Sequence, residues 1–531
     1  MNTNMKKIKY FLLMVAVTVA LVSCDSLDLS PEDYYGSNNF WNSEPQVKGF
    51  VLGQHSQLRG SALTLWLLGE ARGGLQKNGT SSVNTSLDYS SPFKDQDFRS
   101  DKTGLGSWAG FYGRILNLNL AIKKVENECP FLTQESRNFY LGQFYGLRAY
   151  NYFWLYRTYG GVPLNTETMI IDGVTTAEPL YMERATPKVT LDLIKSDIDK
   201  SIAAFGANLS MPDGAATWTK FASLMLKAEV YLWSAKVTTG DQSPASGDLA
   251  VAEAALAEVE NAKKFSLQAN YTDVFAYNKK NNAEIIFALR FLDNEASNSA
   301  ANFTYASNDA TFVGNKFSKT LKLLGDTLNQ KGTGILRNEY VFSLFESYDD
   351  LDKRKTATFF DFYNKSNANP PEPINGGIVM RKFHGLINSN GVRVYADDIP
   401  MYRYADLLLM MAEIENKKGG DPARYINQVR QRAFGTNYVP AIHGYVNGSF
   451  AANELAILTE RDKEFVWEMK RWFDVLRLQD AQGKPLVFSS TLPYGVRIPV
   501  LDPATESHKV LWPVDLNTIN ADPKLKQTPG Y

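Results

Sequence analysis

Apolar positions recur at helical spacing over most of this chain, and the runs come in pairs. The densest run is Gly142 to Pro163, GQFYGLRAYNYFWLYRTYGGVP. Phe144, Tyr145, Tyr150, Tyr152, Phe153, Trp154, Tyr156 and Tyr159 leave it almost no polar face, the pattern of a helix packed on more than one side. Gly142, Gly146 and Ala149 share one strip, which predicts close approach of a second backbone with aromatic rings filling the gaps beside it. Gly160-Gly161 supplies a left-handed cap and Pro163 forbids continuation, so the helix is expected to run from about Gln134 to Tyr159. Arg148, Asn151 and Arg157 interrupt it well short of the roughly 20 apolar residues of a membrane span.

The same periodicity predicts a short helix near Pro45–Gly53 and further helices over Trp108–Glu126, Thr190–Phe205 (introduced by Pro187) and Trp218–Val237. Leu249–Lys264, capped by Asp248, follows. A hairpin of Met401–Lys417 and Pro422–Arg432 turns through Gly419-Gly420, and Asn453–Asp480 closes the helical part. Paired helices with small residues facing large ones predict an all-α-dominated, tetratricopeptide-like helix-pair array, although no strict 34-residue period is visible. Long irregular insertions interrupt it at about 60–107, 266–400 and 433–452. Within them Ala283–Leu289 predicts a short strand, while FTYASNDATF and the Gly/Asn/Pro-rich 364–377 predict loops. Function usually sits on such segments.

The ends change the picture. Lys6, Lys7 and Lys9 precede an apolar run from Tyr10 to Val22, a secretory signal. It ends Leu21-Val22-Ser23-Cys24, which resembles a bacterial lipobox. Residues 1–23 are expected to be removed and Cys24 to be lipidated, anchoring residues 24–531 as a single domain. With Lys6, Lys7 and Lys9 gone, 53 basic residues face 57 acidic ones. No basic field exists for nucleic acid. The second cysteine, Cys129, is left without a partner, which excludes a disulfide framework.

Candidate chemistry is sparse. His55, His384, His443 and His508 lack metal-ligand spacing, and no nucleophile elbow, zincin or phosphate loop is present, so neither metal nor cofactor is expected. Glu460, Glu464 and Glu468 share a face, interleaved with Arg461, Lys470, Arg471, Asp474 and Arg477. Carboxyls on one face do not straddle a sugar as a glycosidase requires, which favours a structural ion-pair ladder. Asp349-Asp350 and Asp397-Asp398 read as exposed acidic turns. A non-catalytic ligand site needs only stacking rings and hydrogen-bonding side chains. Arg72, Asn84, Tyr89, Phe93 and Phe98 offer these in one insertion. Asn302, Phe303, Tyr305 and Asn308 offer them in another.

Several motifs together resemble the SusD/RagB family of outer-membrane nutrient-binding lipoproteins of Bacteroidetes. They are Cys24-Asp25-Ser26-Leu27-Asp28, Arg148-Ala149-Tyr150 with Tyr159-Gly160-Gly161-Val162-Pro163-Leu164, and Tyr271-x-Asp273-Val274-Phe275 with Glu284-Ile285-Ile286-Phe287. Arg403-Tyr404-Ala405-Asp406, Glu460-Arg461, Arg471-Trp472-Phe473-Asp474 and the ending Pro529-Gly530-Tyr531 complete the order. The resemblance implies a right-handed helical scaffold with an irregular ligand face. It further implies a cell-surface protein of the outer membrane that binds a glycan and lids a SusC-type TonB-dependent transporter. A lipoprotein glycosidase, a protein-docking adaptor and a peptide-binding homologue remain alternatives.

Overall fold

The computed structural model describes residues 40–80, 91–169, 173–332 and 334–531. The proposed signal peptide and Cys24 lie outside the described residues. Long helices follow one another in space as in sequence: α1 (Glu44–Gly60), α2 (Ala109–Asn127), α3 (Gln134–Tyr159), α4 (Pro187–Phe205), α5 (Lys220–Lys236) and α6 (Asp248–Asn261). From α2 to α6 each packs on the next. Then α7 (Tyr404–Lys417) lies on α5 and α6 and receives α8 (Ala423–Phe434) and α9 (Phe450–Glu464) on its other side. Among the described residues no helix is long and apolar enough to cross a membrane.

The central helix α3 has the bounds its sequence predicts. Thr133 caps it by accepting from the Ser136 amide, and Gly160 ends it at φ 76°. From Gly142 onward nearly every residue is buried. The small-residue strip admits α4, whose Ser201 hydroxyl donates to the Gly142 carbonyl at 2.5 Å, and the space over Gly142 and Gly146 is filled by rings from neighbouring elements. A Cβ on Gly142 would meet Phe205 at 2.8 Å, and one on Gly146 would overlap Trp218. The polar interruptions are ties between helices. Arg148 grips Asp197 through two bonds of 2.7 and 2.8 Å, and Asn119 through a third of 2.9 Å. Asn151 accepts from Arg114 at 2.7 Å. Arg157 reaches Glu229 at 2.6 Å while lying 3.8 Å over the Phe473 ring. Buried charges survive in a core when paired in this way.

Three expectations need correction. Met401 to Arg403 belong to a strand, β8 (Ile399–Arg403), paired antiparallel with β2 (Ile285–Leu289). The run IPMYRYADLLLMM is apolar throughout, so periodicity cannot separate strand from helix there. Asp248 is the first residue of α6 and not its cap, and its carboxylate is taken by Lys195 at 2.6 Å. The closing helix is broken: α9 ends at Glu464 and α10 (Arg471–Arg477) begins after a kink with Trp467 at φ 65° and Met469 at φ 63°. The kink fits around helix Ala62–Gly69. Gly69 lies against the Met469 carbonyl, and the Glu70 carboxylate accepts from the amides of Trp467 and Lys470, each at 3.3 Å.

The insertions carry short antiparallel pairs. β1 (Gln76–Asn78) pairs with β3 (Asn338–Tyr340), and β4 (Phe359–Lys365) with β5 (Pro373–Met380). The segment 364–377, expected as loop, is therefore largely the tip of a hairpin. β6 (Leu386–Ile387) pairs with β7 (Arg393–Val394). Tyr305, Phe312, Leu328, Leu336, Phe362 and Val379 form a second, smaller core beneath this region.

A titratable clasp joins α1 to the segment before α5. His55 Nε2 accepts from the Trp218 amide at 2.8 Å, and its Nδ1 donates to the Val51 carbonyl at 2.9 Å. Burial pushes the imidazole down to about 4, against the opposing pull of the Val51 bond. The unfolded chain protonates this group below about pH 6.5, the folded chain only near 4. Its stabilisation is thus complete above pH 6.5 and is lost as pH falls from 6.5 to 4, by about 2–3 kcal/mol. His55→Gln, which keeps an acceptor for the Trp218 amide, is expected to flatten the unfolding midpoint across that interval. An unchanged slope in the variant would assign the acid sensitivity elsewhere.

Candidate functional site

The two insertions named from sequence meet. Their strands pair in the register Gln76↔Tyr340, Lys77↔Glu339 and Asn78↔Asn338. At the rim Glu339 accepts from the Thr80 amide at 2.7 Å and pairs with Lys77 at 3.1 Å. Thr80 is the last described residue before the segment 81–90, which carries Asn84 and Tyr89; both lie outside the described residues. The chain resumes in the short helix Ser91–Asp95, whose Lys94 bonds Asn78 of β1.

Of the other proposed ligand residues, Arg72, Phe93, Phe98, Phe303 and Tyr305 are buried, which corrects their assignment as a stacking surface, whereas Asn302 is half-buried and Asn308 exposed. Arg72 is enclosed by Phe98, Trp472 and Trp512, its guanidinium 4.6, 3.9 and 4.5 Å from the three ring centres. It donates to Gln96 at 3.0 Å and to the Lys509 carbonyl, and among the described residues no carboxylate pairs with it. Burial pushes it down to about 9. Phe93 and Phe98 pack against Trp512 with centroids 5.1 and 4.6 Å apart. Phe303 meets Trp66 edge-on at 5.0 Å. Tyr305 stacks on Phe312 at 4.2 Å, and its hydroxyl accepts from the Leu328 amide at 2.8 Å. As placed, these rings offer a ligand no free face. Trp512 and Trp66 lie hundreds of residues from the rings they cover, so local composition could not reveal that Phe93, Phe98 and Phe303 were core, whereas Tyr305 packs on nearer neighbours, Phe312 and Leu328.

The acidic cluster is also structural. Glu464 bonds Arg403 at 2.6 Å, Arg354 at 3.0 Å and Arg432 as well. Arg403 further holds Glu284 and Glu468, each at 2.7 Å, and Arg354 holds Glu460 at 2.7 Å. All of these side chains are buried. Burial would push Glu464 up, but the guanidiniums of Arg432, Arg403 and Arg354 overcome it and hold the carboxyl well below its usual range. The pairs link β2, β8, α8 and α9, as the ladder reading expects, although Glu468 reaches Arg403 across the kink and not along one helix face.

A cavity of about 670 Å³ opens beside this cluster, between residues 271–278, 353–357 and 381–386. Asp397 lines it and is 4% exposed, so it is not the exposed turn its sequence suggests. One carboxylate oxygen accepts from the Gly385 amide at 2.7 Å; the other, Oδ1, is buried without a partner. Burial raises this carboxyl to about 6. His384 also lines the cavity, with Nε2 buried and unpartnered. Burial, with Arg393 and Arg381 nearby, pushes its imidazole down to about 3, so the ring is neutral. Asp398, by contrast, is fully engaged by Lys280 at 2.6 Å and Arg290 at 2.7 Å. Among the described residues no group of three His, Cys, Asp or Glu side chains is placed to hold a metal ion.

A family model described as the SusD family matches residues 283–531, and one described as "Starch-binding associating with outer membrane" matches residues 68–232. A SusD superfamily protein of Bacteroides fragilis, known from its crystal structure, is 39% identical. Its TM-score is 0.85, over 93% of this chain and 100% of that one. NanU of B. fragilis is 30% identical with a TM-score of 0.81, over 95% and 100% of the two chains. SusD-like protein P38 of Formosa agariphila is 25% identical over 99% of this chain and 100% of its own length.

Proposed function

The chain belongs to the SusD family, and from that membership we propose that it binds a glycan at the outer-membrane surface and delivers it to a SusC-type TonB-dependent transporter, without catalysis. The observation that carries this reading is the β1–β3 pairing. It brings the two long insertions to one rim. The starch-binding description of the family model over residues 68–232 supports a carbohydrate as ligand, and its outer-membrane association supports the location. A lipid on Cys24 would hold the protein there. The cluster around Glu464 has its carboxylates committed to holding elements together, which weighs against their use as catalytic acids.

Titration calorimetry of the purified protein against a panel of plant, host and microbial polysaccharides tests the proposal. Binding to one class without product release is the expected result. Tyr89→Ala should weaken it about tenfold, equivalent to ~1.4 kcal/mol. Cleaved glycan would overturn the non-catalytic claim. No binding to any polysaccharide would leave a protein-docking or peptide-binding protein.

A further inference from the structure

We propose that the β1–β3 rim is fastened by a proton-operated latch, in which the buried Glu70 carboxyl ties Tyr340 of β3 to the kink before α10 and slackens as it ionises. The latch is a property of the scaffold and goes beyond the glycan-binding reading, on which only its use would depend.

Glu70 closes helix Ala62–Gly69 and begins the turn that leads into β1. Its Oε1 accepts from the Tyr340 hydroxyl at 3.0 Å and from the Trp467 amide at 3.3 Å, and its Oε2 accepts from the Lys470 amide at 3.3 Å. Tyr340 stands opposite Gln76 in the ribbon. Both strands therefore bear on one carboxyl, β1 through the chain and β3 through a side chain. Glu70 and Tyr340 are both buried.

This carboxyl differs from its neighbours in having no cation. Among the described residues every other buried acid except Asp397 touches an arginine or a lysine. The cations near Glu70 are engaged elsewhere. The Lys470 ammonium turns to Asp406 at 2.8 Å, Arg471 pairs with Asp462 at 2.8 Å, and Arg72 lies among its three rings. Asp462, on α9, adds repulsion, and Tyr340 is the titratable group facing Glu70 from β3. Burying a carboxylate without a counter-charge favours the neutral acid. Burial raises this one to about 7, against the bonds from Tyr340, Trp467 and Lys470. The neutral acid keeps the tie to β3, because a phenolic oxygen can accept the carboxyl proton as well as donate its own.

Lifting the ribbon lets water reach the carboxyl and returns it to its ordinary value of about 4.5. Between about pH 4.5 and 7, opening therefore releases a proton. Opening becomes easier as pH rises through that interval and levels off above it, by at most about 300-fold. The rim is firm in acid and looser from neutral pH upward, the reverse of the His55 clasp.

Hydrogen exchange on the purified full chain tests the latch without any ligand. The Gly79 amide, bonded to the Arg337 carbonyl at 2.8 Å, and the Val341 amide, bonded to the Leu75 carbonyl at 2.9 Å, report on the ribbon. Their protection, corrected for the intrinsic pH dependence of exchange, should fall at least about tenfold between roughly pH 5 and 7.5. In Glu70→Gln, which cannot ionise, it should stay level. Constant protection in the native protein overturns the proposal, as does an equal fall in the variant. Should that variant not fold, carbon-13 spectra of the native protein labelled at its glutamate carboxyls decide. One carboxyl is expected to titrate near the pH at which protection levels off, and the absence of any glutamate titrating above pH 6 overturns the proposal. A polysaccharide bound at the rim should slow exchange of the same two amides. If no polysaccharide binds, the glycan-binding reading falls, while the pH series still decides the latch.

Discussion

Glu464→Gln is expected to destabilise the protein by about 3–5 kcal/mol, the range for removing one partner of a buried ion pair. The carboxylate is shared by Arg403, Arg354 and Arg432, none of which has solvent to turn to. Glutamine keeps the shape and one acceptor but removes the charge, leaving excess positive charge in the interior. For a chain of this length the unfolding entropy is about 1 kcal/mol per degree, so the midpoint should fall by a few degrees. Natural stability is itself only about 5–15 kcal/mol, so accumulation of soluble protein should fall too. Asp192→Asn, which breaks the exposed Lys188–Asp192 pair at 2.8 Å, is the control and should leave the midpoint where it was. Equal, small effects in both variants would mean that the buried cluster is dispensable.

Gly146→Val should be comparably damaging by a steric route. A Cβ at this position overlaps the Trp218 indole, which is fully buried, bonds Ser223 through Nε1 at 2.8 Å and packs on Phe287 at 5.0 Å. The ring has nowhere to move, so the helix must. Overpacking of a close-fitted core costs about 1–3 kcal/mol, and displacing a tryptophan that anchors several elements puts this site at about the upper end. Gly53 on α1 is the counter-case. Nothing lies within 4 Å of a Cβ there, so Gly53→Ala should stabilise by about 0.5–1 kcal/mol through helix propensity alone. Thermal melts of the two variants moving in opposite directions would establish that the small residues of α3 are set by packing. A tolerated valine at 146 would refute it.

The scaffold was largely legible in the sequence, because helical periodicity and end signals are local. Thr133 and Gly160-Gly161 bracket α3 where the apolar run starts and stops, and Gly419-Gly420 turns the α7–α8 hairpin. What was not legible depends on partners far along the chain. Phe93 and Phe98 look like loop aromatics until Trp512 arrives to cover them. The kink at Trp467–Met469 exists because Gly69 and Glu70 occupy the path a continuous helix would take. Asp397 looks like half of an acidic turn, yet it is drawn inward by the Gly385 amide while Asp398 takes the surface cations. In each case the residue's own neighbours in sequence carry no trace of the contact that decides its role.

The arginine–glutamate cluster also constrains the order in which the polypeptide can be completed. Glu284 is buried against Arg403 and Arg432, and Arg403 in turn needs Glu464 and Glu468. A nascent chain that has reached only residue 300 has a carboxylate with no cation to meet, and burying it alone is prohibitive. The α2–α6 array is built from contacts between sequence neighbours, and among its buried charges it is Lys236 that waits for the later chain, for Glu413 and Glu454. The middle insertion, and with it the β2–β8 pairing and the cavity beside Asp397, can close only after α9 and the kink behind it have been made. Closure of the buried cluster is thus expected to be ordered by charge neutrality, with the middle insertion completed late.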